Sequence, residues 1–157
     1  MKTPKTITAI EATQLVKSND IVVIGMAGAE PQLFLRELHK RAGEVENVRV
    51  TNCLPFENAE FFVNPKYKSS FSVDSWFYGP SLRKASENGN ISFIPNHLHL
   101  AGRKRFEHAR PNVFVGISSL PDKHGYVSLS LSNVYEKEAI ALADTVIIEV
   151  NPNFPRT

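Results

Sequence analysis

Four consecutive β-branched residues, Ile21-Val22-Val23-Ile24, follow a polar break at Ser18-Asn19-Asp20 and end at the turn Gly25-Met26-Ala27-Gly28. A run with no polar alternation reads as a strand covered on both faces, as in a parallel sheet with helices above and below. Beyond the turn the spacing changes. Pro31, Leu35, Leu38 and Ala42 recur at helical intervals and predict a helix over 31–42, with Pro31 in its first position and Gly43 as its stop. Upstream, Thr8-Ala9-Ile10-Glu11 has the form of a capping box with Ile7 placed to staple onto Ala12, and it predicts a helix to about Lys17.

Apolar runs and turn residues continue to alternate down the chain. Further strands are predicted over 48–53, 71–77, 91–94, 113–117 and 145–150. Helices are predicted from Gly79-Pro80 to Gly89, over 98–109, and from a second capping box, Asn133-Val134-Tyr135-Glu136, to about Ala143. Pro121-Asp122-Lys123-His124-Gly125 reads as a turn and 126–129 as a short strand beyond it, whereas 56–70 shows no period and reads as irregular. Strands alternating with helices predict an α/β domain with an open, mainly parallel sheet flanked by helices. The run 145–150 reads as an interior strand, yet only 151–157 follow it, which suggests a chain cut at a domain boundary. Such a chain is expected to expose apolar surface and to form a homo-oligomer.

Composition narrows the picture. The 157 residues, 42% of them apolar, make one domain over 1–157 and exclude a disordered protein. A formal charge of +2 is too small to imply nucleic acid. The single cysteine, Cys53, forms no internal disulfide and sits among apolar neighbours, which predicts a buried, inert thiol in a reducing cytoplasm. No run approaches the ~18 apolar residues of a membrane span, and Met1-Lys2-Thr3-Pro4 leads directly into the capped helix without an apolar signal core. A soluble, cytoplasmic protein without a membrane partner is expected.

Candidate chemistry concentrates where strands end and helices begin, since ligands of open α/β sheets sit at the carboxyl ends of the strands. Gly25-Met26-Ala27-Gly28 is neither a phosphate loop with Gly-Lys-Ser/Thr nor the three-glycine dinucleotide fingerprint. It reads either as a ligand or anion cradle or as a plain turn. Glu30 reads as a carboxylate catalyst or as a cap for the helix it precedes. Gly79-Pro80-Ser81-Leu82-Arg83 is a second such start, with Arg83 a candidate for holding a carboxylate or phosphate. His97-Leu98-His99 lacks a third ligand at metal spacing, so no metal is expected. Arg103-Lys104-Arg105 reads as a solvated helix face. A non-catalytic ligand-binding or assembly module with the same fold stays open as an alternative.

Five stretches in order resemble one family. They are Ser18-Asn19-Asp20-Ile21-Val22-Val23-Ile24-Gly25, Ala29-Glu30-Pro31-Gln32, Gly79-Pro80-Ser81-Leu82-Arg83-Lys84-Ala85, Asp122-Lys123-His124-Gly125-Tyr126-Val127-Ser128-Leu129, and Glu149-Val150-Asn151-Pro152-Asn153-Phe154-Pro155-Arg156-Thr157. Together they resemble the N-terminal domain of the acetyl-CoA hydrolase/transferase family, which includes enzymes of the 4-hydroxybutyrate CoA-transferase type. The resemblance implies a two-domain enzyme that uses coenzyme A as substrate and exchanges it between acyl-CoA and carboxylates through a glutamyl-CoA thioester. It also implies that the nucleophilic glutamate lies in a His-Ser/Thr-Glu-Met stretch of a C-terminal domain, and no such stretch occurs in this chain. No catalytic residue is therefore assigned here. Gly25, Gly28, Glu30, Pro31, Gly79, Ser81, Arg83, Asn151 and Pro152 are expected to face substrate or the missing C-terminal domain.

Overall fold

The fold is described from a computed structural model, for residues 4–56, 59–131 and 133–157, with the side chain of Ser81 left aside. Six strands form one all-parallel sheet: β1 (Ile21–Ile24), β2 (Val48–Asn52), β3 (Phe71–Ser75), β4 (Ile91–Phe93), β5 (Val113–Ser118) and β6 (Thr145–Val150). Their order is β4-β3-β2-β1-β5-β6. The chain steps outward from β1 to β4, then returns to lay β5 on the other flank of β1. Right-handed crossovers in opposite directions put their helices on opposite faces. On one face lie α1 (Ala9–Thr13), α2 (Gln32–Leu38), α3 (Glu60–Val63) and α4 (Pro80–Ala85), packed on Val22, Ile24, Val50 and Val73. The other face carries α5 (Ala101–His108) and α6 (Glu136–Leu142) on Val23, Phe114 and Trp76.

Several local readings need correction. The first capping box forms, with Thr8 Oγ1 accepting the Glu11 N–H at 3.2 Å and Glu11 Oε2 accepting the Thr8 N–H at 2.8 Å. The α-helix nevertheless ends at Thr13, because the N–H groups of Leu15 and Val16 close on carbonyls three residues back and tighten the last turn. Pro31 is the N-cap of α2 rather than its first residue, and α2 passes into a 3-10 turn over His39–Arg41 before Gly43, at φ 86°, ends it. The stretch read as irregular holds α3 and a 3-10 turn at Pro65–Tyr67, with Phe61 and Phe62 fully buried.

No strand forms over 126–129. Asp122 draws that segment back on itself, its Oδ1 accepting the N–H of His124 and of Tyr126, both at 2.9 Å. The second capping box is also absent: α6 begins at Glu136 with no side chain capping it. Finally, β6 lies at the edge of the sheet, paired with β5 alone among the described residues, and its residues are half-buried or exposed. Its β-branched run has the composition of an interior strand, but composition alone does not supply a second neighbour.

Candidate ligand cleft at the carboxyl ends of the strands

The reversal of strand order falls between β1 and β5, so the loops leaving these two strands flank a crevice of the kind that binds ligands in open α/β sheets. Beside it a cavity of about 280 Å³ opens at the strand ends. Met26 comes from the β1 turn, Cys53 and Leu54 follow β2, and Trp76 and Phe77 follow β3; Leu98, in a 3-10 turn before α5, and Ala101, the first residue of α5, close it, with Asn96 as its amide. Just past the ends of β1, β2 and β3, Met26, Cys53 and Trp76 thus line the cavity. A larger open depression, about 740 Å³, lies between the loop after β2 and α4, against Phe56, Val63, Pro80 and Lys84.

Most N–H groups of the β1 turn are bound within the chain. Gly25 donates to the Val115 carbonyl at 2.9 Å, Ala27 to Cys53 at 3.4 Å, Ala29 to Met26 at 2.9 Å and Glu30 to Ala27 at 3.0 Å. The Met26 N–H donates to Glu136 Oε1 at 3.0 Å. These five donors are spent holding the turn. Gly25 is required by its own chain, since a Cβ there would stand 2.3 Å from the Ala29 carbonyl oxygen. Gly28 is exposed, and its Cβ would meet only Leu131 at ordinary contact distance.

Glu30 is 2% exposed and touches neither cavity. Its Oε2 accepts the Phe56 N–H at 3.0 Å, tying the β1 turn to the loop after β2 instead of capping α2. That cap comes from the far side of the sheet, where Glu149 Oε2 on β6 accepts the N–H groups of Leu33 at 3.0 Å and Phe34 at 3.4 Å. Burial raises the Glu149 carboxyl above its ordinary value despite these two bonds and the nearby Arg36.

The second predicted start, Gly79-Pro80, does begin α4, with a Gly79 Cβ position 3.2 Å from the Pro55 carbonyl oxygen. Ser81 lies in its first turn, and its side chain is outside the description. Arg83 is exposed and lines neither cavity; its neighbour Lys84 lines the larger one. Asn151 and Pro152 sit across the switch point, at the end of β6. The Asn151 N–H donates to Ser118 and its Oδ1 accepts from Asn153, while Pro152 is exposed. The nine predicted residues therefore share one rim without meeting in one pocket.

One other reading turns out differently and one as expected. Arg105 is no solvated charge: its Nη2 donates to Asp74 Oδ2 at 2.6 Å, with its side chain only 16% exposed, and Arg49 approaches the same oxygen at 3.6 Å. Cys53 is buried as expected, and burial together with the Glu136 charge pushes its thiol up to about 11, so it stays protonated at neutral pH. The cavity can hold an apolar chain, but its lining presents no ionised nucleophile. The sequence signal for it was the apolar or aromatic residue following each strand, and that signal was readable only once the strand ends were known.

The rim also leaves Phe56, Phe77, Leu98, Leu120, Tyr126 and Leu131 more than half exposed. Two of the resembling stretches meet there: Arg156 Nη2 donates to Asp122 Oδ2 at 2.9 Å, its Nη1 to the Tyr126 carbonyl at 3.0 Å, and Ser128 Oγ donates to the Thr157 carbonyl at 3.1 Å. No helix among the described residues is long and apolar enough to cross a membrane, and they contain no cluster of three metal-ligating side chains.

Comparison with known proteins agrees with this geometry. The sequence profile of the acetyl-CoA hydrolase/transferase N-terminal domain matches residues 3–157. The chain is 34% identical to succinyl-CoA:cyclohexane-1-carboxylate CoA transferase of Geobacter metallireducens, over 98% of this chain and 35% of that protein. It is 28% identical to 4-hydroxybutyrate coenzyme A transferase of Clostridium kluyveri, over 98% of this chain and 36% of the other. Among solved structures, RipA from Yersinia pestis superposes with a TM-score of 0.88 at 26% identity, over 96% of this chain and 37% of RipA. The chain thus spans about a third of the length of the relatives it matches. With the all-parallel sheet, the switch point and the profile match in agreement, the chain belongs to the acetyl-CoA hydrolase/transferase family, of which it carries the N-terminal domain.

Proposed function

We propose that the chain is the N-terminal domain of a CoA-transferase that moves CoA between short-chain acyl groups and carboxylates, of 4-hydroxybutyrate or acetate type, and that its cavity receives the acyl chain. The carrying observation is the apolar cavity of about 280 Å³ at the ends of β1–β3, whose one nucleophilic side chain, Cys53, is held protonated. An apolar slot without a nucleophile suits one wall of a shared site.

In the proposed cycle a glutamate on a C-terminal domain attacks the acyl-CoA thioester carbonyl. The C–S bond breaks, CoA leaves as thiolate, and a mixed anhydride remains. The thiolate then attacks the glutamyl carbonyl, releasing the first acyl group as its carboxylate and leaving an enzyme glutamyl-CoA thioester. An incoming carboxylate reverses both steps. Splitting one hard exchange into two acyl transfers is covalent catalysis. The domain here contributes shape and exclusion of water, which favours the acceptor carboxylate over hydrolysis. The exposed apolar rim fits a surface covered by the C-terminal domain, and a cytoplasmic homo-oligomer is part of the same reading.

The test is exchange of CoA between butyryl-CoA and labelled acetate, by the 157-residue chain and by the full product of its gene. The expected result is no exchange by the chain alone and turnover by the full product. Turnover by the isolated chain that is abolished in Glu30→Gln would overturn the proposal and make Glu30 the nucleophile. Absence of exchange in both would favour a non-catalytic binding module.

A further inference from the structure

Glu136 is 1% exposed, begins α6, and lines neither cavity. Its two oxygens point to different parts of the chain. Oε1 accepts the N–H of Met26, 110 residues away on the β1 turn, at 3.0 Å. Oε2 accepts the N–H groups of Val134 at 2.6 Å and Tyr135 at 2.9 Å on its own approach to the helix. The preceding residue, Tyr135, is fully buried and donates its hydroxyl to the Ile24 carbonyl at 2.8 Å, the last residue of β1. The loop after β5 is thereby fastened to the turn after β1, across the point where strand order reverses.

We infer that Glu136 is a positioning residue that fixes the Met26 wall of the cavity and, through it, the length of acyl chain the site accepts; the second half rests on the functional reading above. The chemistry of the side chain makes the point. Backbone N–H groups approach both oxygens, and a carboxylate accepts at both. A glutamine offers one acceptor oxygen and one NH₂ group, so one arm must set donor against donor. Among the described residues Oε2 has two backbone donors, from Val134 and Tyr135, and Oε1 has one, from Met26, so the Met26 arm is the one the amide gives up. The Met26 N–H then loses its acceptor, its main chain is held only by the Ala29 N–H on its carbonyl and by its bonded neighbours Gly25 and Ala27, and the cavity wall it forms shifts while the rest of the lining stays.

The chain has two methionines, Met1 and Met26, so ¹³C-methyl methionine labelling reports the wall directly. In the wild type the Met26 methyl signal, facing the cavity that Trp76 and Phe77 also line, should be displaced by ring currents and its amide slow to exchange. In Glu136→Gln the signal should move toward that of free methionine and the amide should exchange faster. Tyr135→Phe, which deletes an equally buried hydrogen bond but keeps the Met26 arm, should leave both unchanged. Should Glu136→Gln fail to fold, Glu136→Asp, one methylene shorter, should move the Met26 signal in the same direction.

On the full gene product, the ratio of kcat/KM for butyryl-CoA to that for acetyl-CoA should change by about 3-fold or more in Glu136→Gln, within what a methylene-sized pocket change can deliver. A uniform fall in both, as a loss of folded protein would give, leaves the ratio unmoved and overturns the specificity role. An unchanged Met26 signal in a folded Glu136→Gln overturns the positioning role, whatever the activity. If the wild-type product transfers no acyl-CoA, the functional reading fails, while the Met26 signal still decides the positioning role.

Discussion

At the scale of single residues, identity follows from what stands within a few ångströms. Gly25 and Gly28 look alike in sequence, yet a methyl group at Gly25 would run into the Ala29 carbonyl oxygen at 2.3 Å, whereas at Gly28 it meets Leu131 at 3.6 Å. Gly25→Ala is therefore expected to cost about 1–3 kcal/mol of stability through overpacking, and Gly28→Ala within about 0.5 kcal/mol; urea unfolding of the two variants separates them. The left-handed residue of this turn is Ala27, at φ 48°, not a glycine. A glycine pattern therefore marks the turn correctly but misplaces its strain. Charges were the least legible of all. Glu30, Arg105 and Glu136 sit at helix ends or in a basic run where solvent is the default, and each is instead bound across the fold by a partner far away in sequence. No spacing rule encodes a contact over 110 residues.

Among elements, periodicity carried most of the information. All six strands lie where continuous or alternating apolar runs put them, because a sheet covered on both faces needs such runs. The short segments failed where a single polar side chain overrode local pattern, as Asp122 does for the segment read as a strand over 126–129. The start of α2 is a case with a consequence. Its capping group, Glu149, comes from β6 and is partly buried, so its carboxyl is raised above the ordinary 4.5 by desolvation. A raised carboxyl binds its proton more tightly in the folded state. Its stabilising share is thus complete below pH 4.5 and is lost as pH rises through the folded value. Glu149→Gln keeps an oxygen for the Leu33 and Phe34 N–H groups and never ionises. Its unfolding midpoint relative to the wild type should rise between pH 4 and pH 7; a relative fall would mean that the ionised cap outweighs the desolvation.

For the molecule as a whole, topology decides where chemistry can occur. Strand order 4-3-2-1-5-6 sets the switch point between β1 and β5 and gathers the loops of β1, β2 and β3 around one apolar cavity. The fold class was legible from the alternation of strands and helices. The cavity was not, since its lining comes from residues one or two positions past three strand ends and from the segment leading into α5. Its eight lining side chains converge only when sheet order is known, and Arg83, a sequence candidate for holding a carboxylate or phosphate, is exposed and lines neither cavity. The central claim is that this domain shapes a site whose reactive carboxylate it does not own. It is tested most directly by incubating the full gene product with butyryl-CoA, reducing any enzyme thioester with borohydride, and mapping the modified glutamate by mass spectrometry. The prediction is a reduced glutamate outside residues 1–157; reduction at Glu30, or at any other glutamate of this chain, would contradict it.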